Sequence, residues 1–169
     1  MKLNESILMV ARHLRNAFEI SAESGAFAIV EGEISPVGEY CVNEWIAITG
    51  SKFNNGIYKI VLDNPVHDSY QLGNGTDSDN PVADEQFVGT VWRLMLPKDL
   101  VDVCKEVAEW MDSKLGKPSN VASESVAGYY SVTMMTDKNG NPAGWESVFA
   151  SRLNGMWRKM FASVLISSL

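Results

Sequence analysis

Ile46-Ala47-Ile48-Thr49-Gly50-Ser51-Lys52-Phe53-Asn54-Asn55-Gly56-Ile57-Tyr58-Lys59-Ile60 carries two alternating apolar runs that meet at an Asn-Gly pair. Trp45 and Ala47 alternate with Ile46 and Ile48, the period of a strand. Asn55-Gly56 is a hairpin cue, because a two-residue type I′ turn needs positive φ at both central positions. Ile57 to Leu62 is then the returning strand.

Further strands lie on both sides. Phe27, Ile29, Glu31 and Glu33 alternate against Ala28, Val30, Gly32 and Ile34 after Gly25, and Ser35-Pro36-Val37-Gly38 reads as a turn. Tyr40 to Thr49 holds two strand fragments. Residues 63–84 are polar and rich in Gly, Asn, Asp and Pro, which predicts one long loop. Phe87 to Leu96 resumes the alternation. Four or five such strands make a small barrel or a curled sheet.

Helical spacing brackets this region. Ile7, Val10, Ala11, Leu14 and Phe18 form one stripe of a helix over 4–18, with Asn4 as its N-cap. Pro97 stops the last strand and opens a second helix, on which Leu100, Val103, Cys104, Val107, Trp110 and Met111 recur up to Lys114. Ser119 to Thr136 reads as extended. Asn141-Pro142 starts a third helix, striped by Trp145, Val148, Phe149, Leu153, Met156, Trp157, Met160 and Phe161. The fold class is therefore α+β: a small helical bundle with an inserted antiparallel β module. Residues 1–20 and 98–169 supply the helical core, and 21–97 the insert.

The 169 residues suffice for one ordinary domain or a small domain with an insert. The net charge of −7 disfavours nucleic-acid binding, which depends on Lys and Arg neutralising phosphates. Cys41 and Cys104 lie far apart outside any CxxC, so neither a disulfide framework nor a zinc site is indicated, and each reads as a small apolar side chain. The N-terminus lacks a basic region followed by a long apolar run, and no apolar stretch reaches the roughly 20 residues of a membrane span. The expectation is a soluble, cytoplasmic product without a membrane role.

Catalytic and ligand constellations are incomplete. Asp77, Asp79, Asp84 and Glu85 bring calcium to mind, but Val82 stands at the sixth position, where an EF-hand loop needs Gly. His67-Asp68-Ser69 has the residue types of a hydrolase triad, yet adjacent side chains diverge and no GxSxG elbow is present. Neither GxGxxG nor GxxxxGK[ST] occurs. The pairs Glu31/Glu33 and Glu106/Glu109 read as solvated faces. No catalytic residue, cofactor or metal is expected. Arg152, Arg158 and Lys159 gather beside the apolar stripe of the last helix, where they either complement the helix dipole or dock on an acidic protein.

Four segments, in order, carry a family resemblance: Ile48-Thr49-Gly50-Ser51-Lys52-Phe53-Asn54-Asn55-Gly56-Ile57-Tyr58-Lys59; Phe87-Val88-Gly89-Thr90-Val91-Trp92 with Leu96-Pro97; Ser123-Glu124-Ser125-Val126-Ala127-Gly128-Tyr129-Tyr130; and Trp145, Phe149, Leu153, Arg158 and Lys159. Together they span most of the chain, which resembles the head–tail connector (adaptor) proteins of tailed bacteriophages and prophages. The resemblance implies a helical core with a β insert, a homo-oligomeric ring of twelve between portal and tail, and a place in the virion neck. DNA is then passing cargo, and the partners are the portal and other neck or tail proteins. It also implies that the last helix and residues 162–169 reach the portal, which makes Trp145, Phe149, Arg152, Met156, Trp157, Arg158, Lys159 and Phe161 the candidate partner interface.

Two other readings stay open beside a hydrolase that would use His67 and the acidic loop. One is a tail-completion or stopper protein of the same neck. The other is a ligand-binding β module that uses Trp45, Tyr58 and Trp92 as a stacking surface, against which stands the ordinary use of strand aromatics as core.

Overall fold

Five consecutive buried residues, Trp45–Thr49, form the strand around which the protein is organised. A strand buried along its whole length has both faces covered, and its neighbours show how. The structure, a computed structural model, describes residues 1–73, 82–113, 144–156 and 165–166, together with the backbone of 123–126 and 130–133.

Six antiparallel strands close into a barrel: β1 (Glu19–Val30), β2 (Glu33–Ser35), β3 (Trp45–Thr49), β4 (Gly56–Asn64), β5 (Ser69–Gly73) and β6 (Glu85–Leu94). Their order around the wall is β1-β2-β5-β4-β3-β6, and β6 returns to β1 through a long register from Glu19↔Leu94 to Ile29↔Glu85. Ile46 and Ile48 point into the barrel with Phe27, Ile29, Ile34, Tyr58, Ile60, Tyr70, Leu72, Phe87 and Val91. Among the described residues, three helices flank it: α1 (Leu3–Leu14), α2 (Lys98–Asp112) and α3 (Trp145–Leu153). Trp45, Ala47, Ile57 and Leu94 pack outward into a second core with Ile7, Val10, Leu14, Leu100, Val103, Val107, Trp145, Phe149 and Leu153. The protein is thus α+β, and its helices share their core with the β3–β4–β6 wall. Two further strands, β7 (Ser123–Val126) and β8 (Tyr130–Thr133), pair antiparallel within the segment read as extended.

Several expectations are corrected. The β3–β4 connection is not a two-residue turn: Ile48 pairs with Gly56, residues 50–55 form the loop, and Gly56 opens β4 without a positive φ. The tight turn belongs instead to Glu31-Gly32, whose φ values of 50° and 85° sit between the paired Val30 and Glu33. Positive φ at both centres is the type I′ requirement, so 27–34 is a hairpin rather than one strand. Gly32 meets the requirement because it lacks a Cβ.

The loop expected over 63–84 contains β5, joined to β4 by a turn at 65–68. Tyr70 and Leu72 reach the barrel interior, and that burial decides the strand in spite of its polar flanks. Of Tyr40–Thr49, only Trp45–Thr49 is strand.

α1 begins at Leu3, so Asn4 lies in its first turn rather than at its cap, and the Lys2 amide donates to Glu5 Oε2 at 3.0 Å. It ends at Leu14 because Arg15 turns left-handed at φ 56°. α3 starts at Trp145 rather than Asn141 and stops at Leu153, after which Gly155 stands at φ 93°. The stripe from Trp145 to Phe161 is therefore not one continuous helix. Cys104 is buried and its thiol pushed up to about 12 by burial, whereas Cys41 is exposed and is not a core residue.

Candidate functional site

Three regions hold the residues singled out in the sequence. The first is the pocket at the β4–β5 turn, a cavity of about 290 Å³ lined by Val30, Glu31, Glu33, Ser35, His67 and Ser69. Ser69 donates from Oγ to Glu33 Oε2 at 2.5 Å, and Asn64 Nδ2 donates to both Glu33 oxygens at 3.1 and 3.2 Å. These bonds, the serine hydroxyl foremost, hold the Glu33 carboxyl below the usual range. His67 Nδ1 lies 3.1 Å from Asn64 Nδ2 and 3.9 Å from Glu33. The Ser69 proton is thus committed to a carboxylate on β2, not to His67. The partner that sequence adjacency offered, Asp68, is a turn residue at φ 49°. The cluster straps the β4–β5 hairpin to β2, and Glu33 serves it rather than a solvated face.

The second region is the loop 50–55. Glu85, at the start of β6, receives Ser51 Oγ at 2.5 Å, the Lys52 amide at 2.8 Å, Asn54 Nδ2 at 2.9 Å and the Phe53 amide at 3.3 Å. Converging donors of this kind stabilise a carboxylate, and Glu85 sits below the ordinary range for that reason, Ser51 being the largest cause. Asn54 also bonds Ala83 from both ends of its amide, at 2.9 and 2.8 Å, and Asn55 closes on the Ser51 backbone at 3.0 and 2.7 Å. From within the barrel, the Tyr58 hydroxyl donates to the Asn54 carbonyl at 3.1 Å, and burial pushes this phenol up to about 12. The loop is held on every side, yet Phe53 at its tip is 63% exposed. The sequence named Ser51 and Glu85 separately but did not reveal their pairing, since they lie 34 positions apart.

The third region is α3 with the residues C-terminal to it. Trp145 and Phe149 are buried in the core shared with α1 and α2, and the His13 ring meets Trp145 edge-on at 5.0 Å. Arg152 is exposed in the last turn and ion-paired with Glu106 of α2. Met156 packs against the same core, and its carbonyl accepts Asn16 Nδ2 at 3.2 Å. Trp157, Arg158, Lys159 and Phe161 lie outside the described residues. The described part of the candidate interface therefore divides: Trp145, Phe149 and Met156 pack on the core and Arg152 faces solvent.

Trp45, Tyr58 and Trp92 do not converge. Trp45 belongs to the helix-facing core, Tyr58 to the barrel interior, and Trp92 is half-buried with Nε1 donating to Thr49 Oγ1 at 2.9 Å. Asp84 accepts the Glu31 amide at 2.8 Å, while Asp77 and Asp79 lie outside the described residues. Among the described residues no helix is long and apolar enough to cross a membrane, and no group of three His, Cys, Asp or Glu could hold a metal.

Comparison with protein-family models, curated proteins and solved structures returned no match.

Proposed function

We propose that this chain is a structural adaptor of a tailed-phage neck, forming a ring between portal and tail and lining the passage for DNA. The observation that carries the reading is the insertion of a closed barrel between α1 and α2, two helices joined directly by the buried Ser6 hydroxyl donating to the Cys104 carbonyl at 2.6 Å. A helical core interrupted by a β insert is the architecture that the sequence resemblance implies. The helices are the connector core, and the segment after α3 is the arm toward the portal. A net charge of −7 suits a conduit, because attractive phosphate contacts would retard the DNA. Its mechanism is assembly, and its place is the virion.

Native mass spectrometry of the chain mixed with purified portal tests this. The expected outcome is a portal-bound ring with one stoichiometry, twelve by the resemblance. A chain that never binds portal across salt and concentration overturns it.

A further inference from the structure

The chain holds four Asn-Gly pairs, and two of them, Asn55-Gly56 and Asn154-Gly155, lie among the described residues. Such a pair is chemically labile. Glycine has no Cβ to shield its amide nitrogen, which can attack the carbonyl of the asparagine side chain before it. The fold places the two pairs oppositely. The Asn55 side chain is clasped at both ends on the Ser51 backbone, with Nδ2 donating at 2.7 Å and Oδ1 accepting at 3.0 Å. Gly56 is buried and pairs with Ile48 across β3 and β4. Attack there must first break the clasp and disturb the strand register.

Asn154 and Gly155 are both exposed and follow α3 directly. Asn154 at φ −62° and ψ 129°, Gly155 at φ 93° and the Met156 amide donating to the Leu153 carbonyl at 3.1 Å make a type II turn. Around Gly155 there is open space, with no atom within 4 Å of the place a Cβ would take. Ring closure needs the Asn154 ψ of 129° to rotate until Cγ meets the Gly155 nitrogen. Only the single Leu153–Met156 backbone bond spans the turn and opposes that rotation.

We propose that Asn154-Gly155 is a site of spontaneous deamidation, and that the fold directs the reaction there and away from Asn55-Gly56. Hydroxide takes the Gly155 amide proton, and the nitrogen bonds to Asn154 Cγ. The Cγ–Nδ2 bond then breaks, and Nδ2 leaves as ammonia after taking a proton from water. A water molecule opens the cyclic imide at either carbonyl, which leaves aspartate or isoaspartate at position 154. Nothing is oxidised or reduced. Either product sets a carboxylate at the C-terminal end of α3, where the helix carbonyls are already negative. Isoaspartate also adds a methylene to the main chain, inside the turn that brings Met156 onto the core and its carbonyl to Asn16 Nδ2 at 3.2 Å. None of this depends on the adaptor reading.

Peptide mapping of aged protein tests it. The folded chain is held at mildly alkaline pH and digested with trypsin, and the peptides 53–59 and 153–158 are followed by liquid chromatography and mass spectrometry against an unaged digest. The expected result is amide loss from 153–158 on the order of tenfold faster than from 53–59, the factor that breaking two hydrogen bonds before reaction imposes. In concentrated urea the two rates should converge. Equal rates in the folded chain, or faster loss from 53–59, overturn the proposal. A difference that persists unchanged in urea also overturns it, because the fold is then not the cause. Isoaspartate among the 153–158 products supports the cyclic route, and aspartate alone overturns it.

Discussion

The Ser51 hydroxyl donates to the Glu85 carboxylate at 2.5 Å across 34 residues of sequence, joining the β3–β4 loop to the start of β6. Two backbone amides and the Asn54 side chain reach the same carboxylate, so one charge gathers the Ser51–Asn54 half of the loop. Glu85→Gln keeps the shape but loses that charge and one acceptor. The expected outcome is faster hydrogen exchange at the Lys52 and Phe53 amides, with the barrel core still protected. Unchanged exchange would remove Glu85 as the organiser.

Acid sensitivity follows from the same carboxyl and from Glu33. Both are held below the ordinary value of 4.5, so they bind fewer protons in the folded than in the unfolded chain near that pH. Their contribution is complete above pH 4.5 and is lost as the pH falls through their folded values. Urea midpoints measured from pH 6 to pH 3 should fall less steeply in a Glu33→Gln/Glu85→Gln double variant than in wild type.

The two Gly-containing turns can be told apart by alanine. Gly32 stands at φ 85°, a region that costs an L-residue about 1–2 kcal/mol, so Gly32→Ala should lower stability by that amount. Gly56 has no positive φ, and a Cβ there makes ordinary contact with the Tyr58 hydroxyl at 3.4 Å. Gly56→Ala should stay within about 1 kcal/mol of wild type. Paired denaturation curves give the comparison, and equal losses would contradict the turn assignment.

Gly89 lies where two backbones approach. A Cβ on it falls 2.3 Å from the Thr49 carbonyl oxygen, which belongs to backbone and cannot swing aside. Gly89→Ala should therefore separate β3 from β6 locally and cost about 1–3 kcal/mol, the range for overpacked sites. A thermal melt checks this.

α3 offers a test of burial against partner binding. Phe149 is 8% exposed, so Phe149→Ala should destabilise the isolated chain by about 3–5 kcal/mol. Arg152 is exposed with its Glu106 partner, and Arg152→Ala should cost no more than about 1 kcal/mol. Chemical denaturation of both variants, without portal, separates a core role from an interface role.

Helical and strand periodicity were legible where the pattern is local. The stripe Leu100, Val103, Cys104, Val107 located α2, and the alternation around Trp45–Thr49 located β3. β5 was hidden, because Ser69–Gly73 has only Tyr70 and Leu72 as apolar strand residues and sits among turn formers. At the candidate site, Phe53 and the Asn54-Asn55-Gly56 stretch were marked by the sequence, and Glu85 only as one of an acidic cluster, not as their organiser. The inward turn of Trp145 and Phe149 was likewise not distinguishable from an outward one, since an amphipathic stripe states that a face is covered and not by what.

By itself, the sequence determined the helix–β–helix order, the acidic balance and most of the residues competent to be buried, because these depend on spacing and composition within a few turns of chain. Closure of the barrel, covering of both faces of β3, placement of the tight turn at Glu31-Gly32 and the clasp between Ser51 and Glu85 were decided only in three dimensions. Each of these is set by pairing or packing between segments distant in sequence. Asn55-Gly56 had the chemistry of a two-residue turn, but the Glu85 carboxylate and the β3–β4 register drew it into a longer loop.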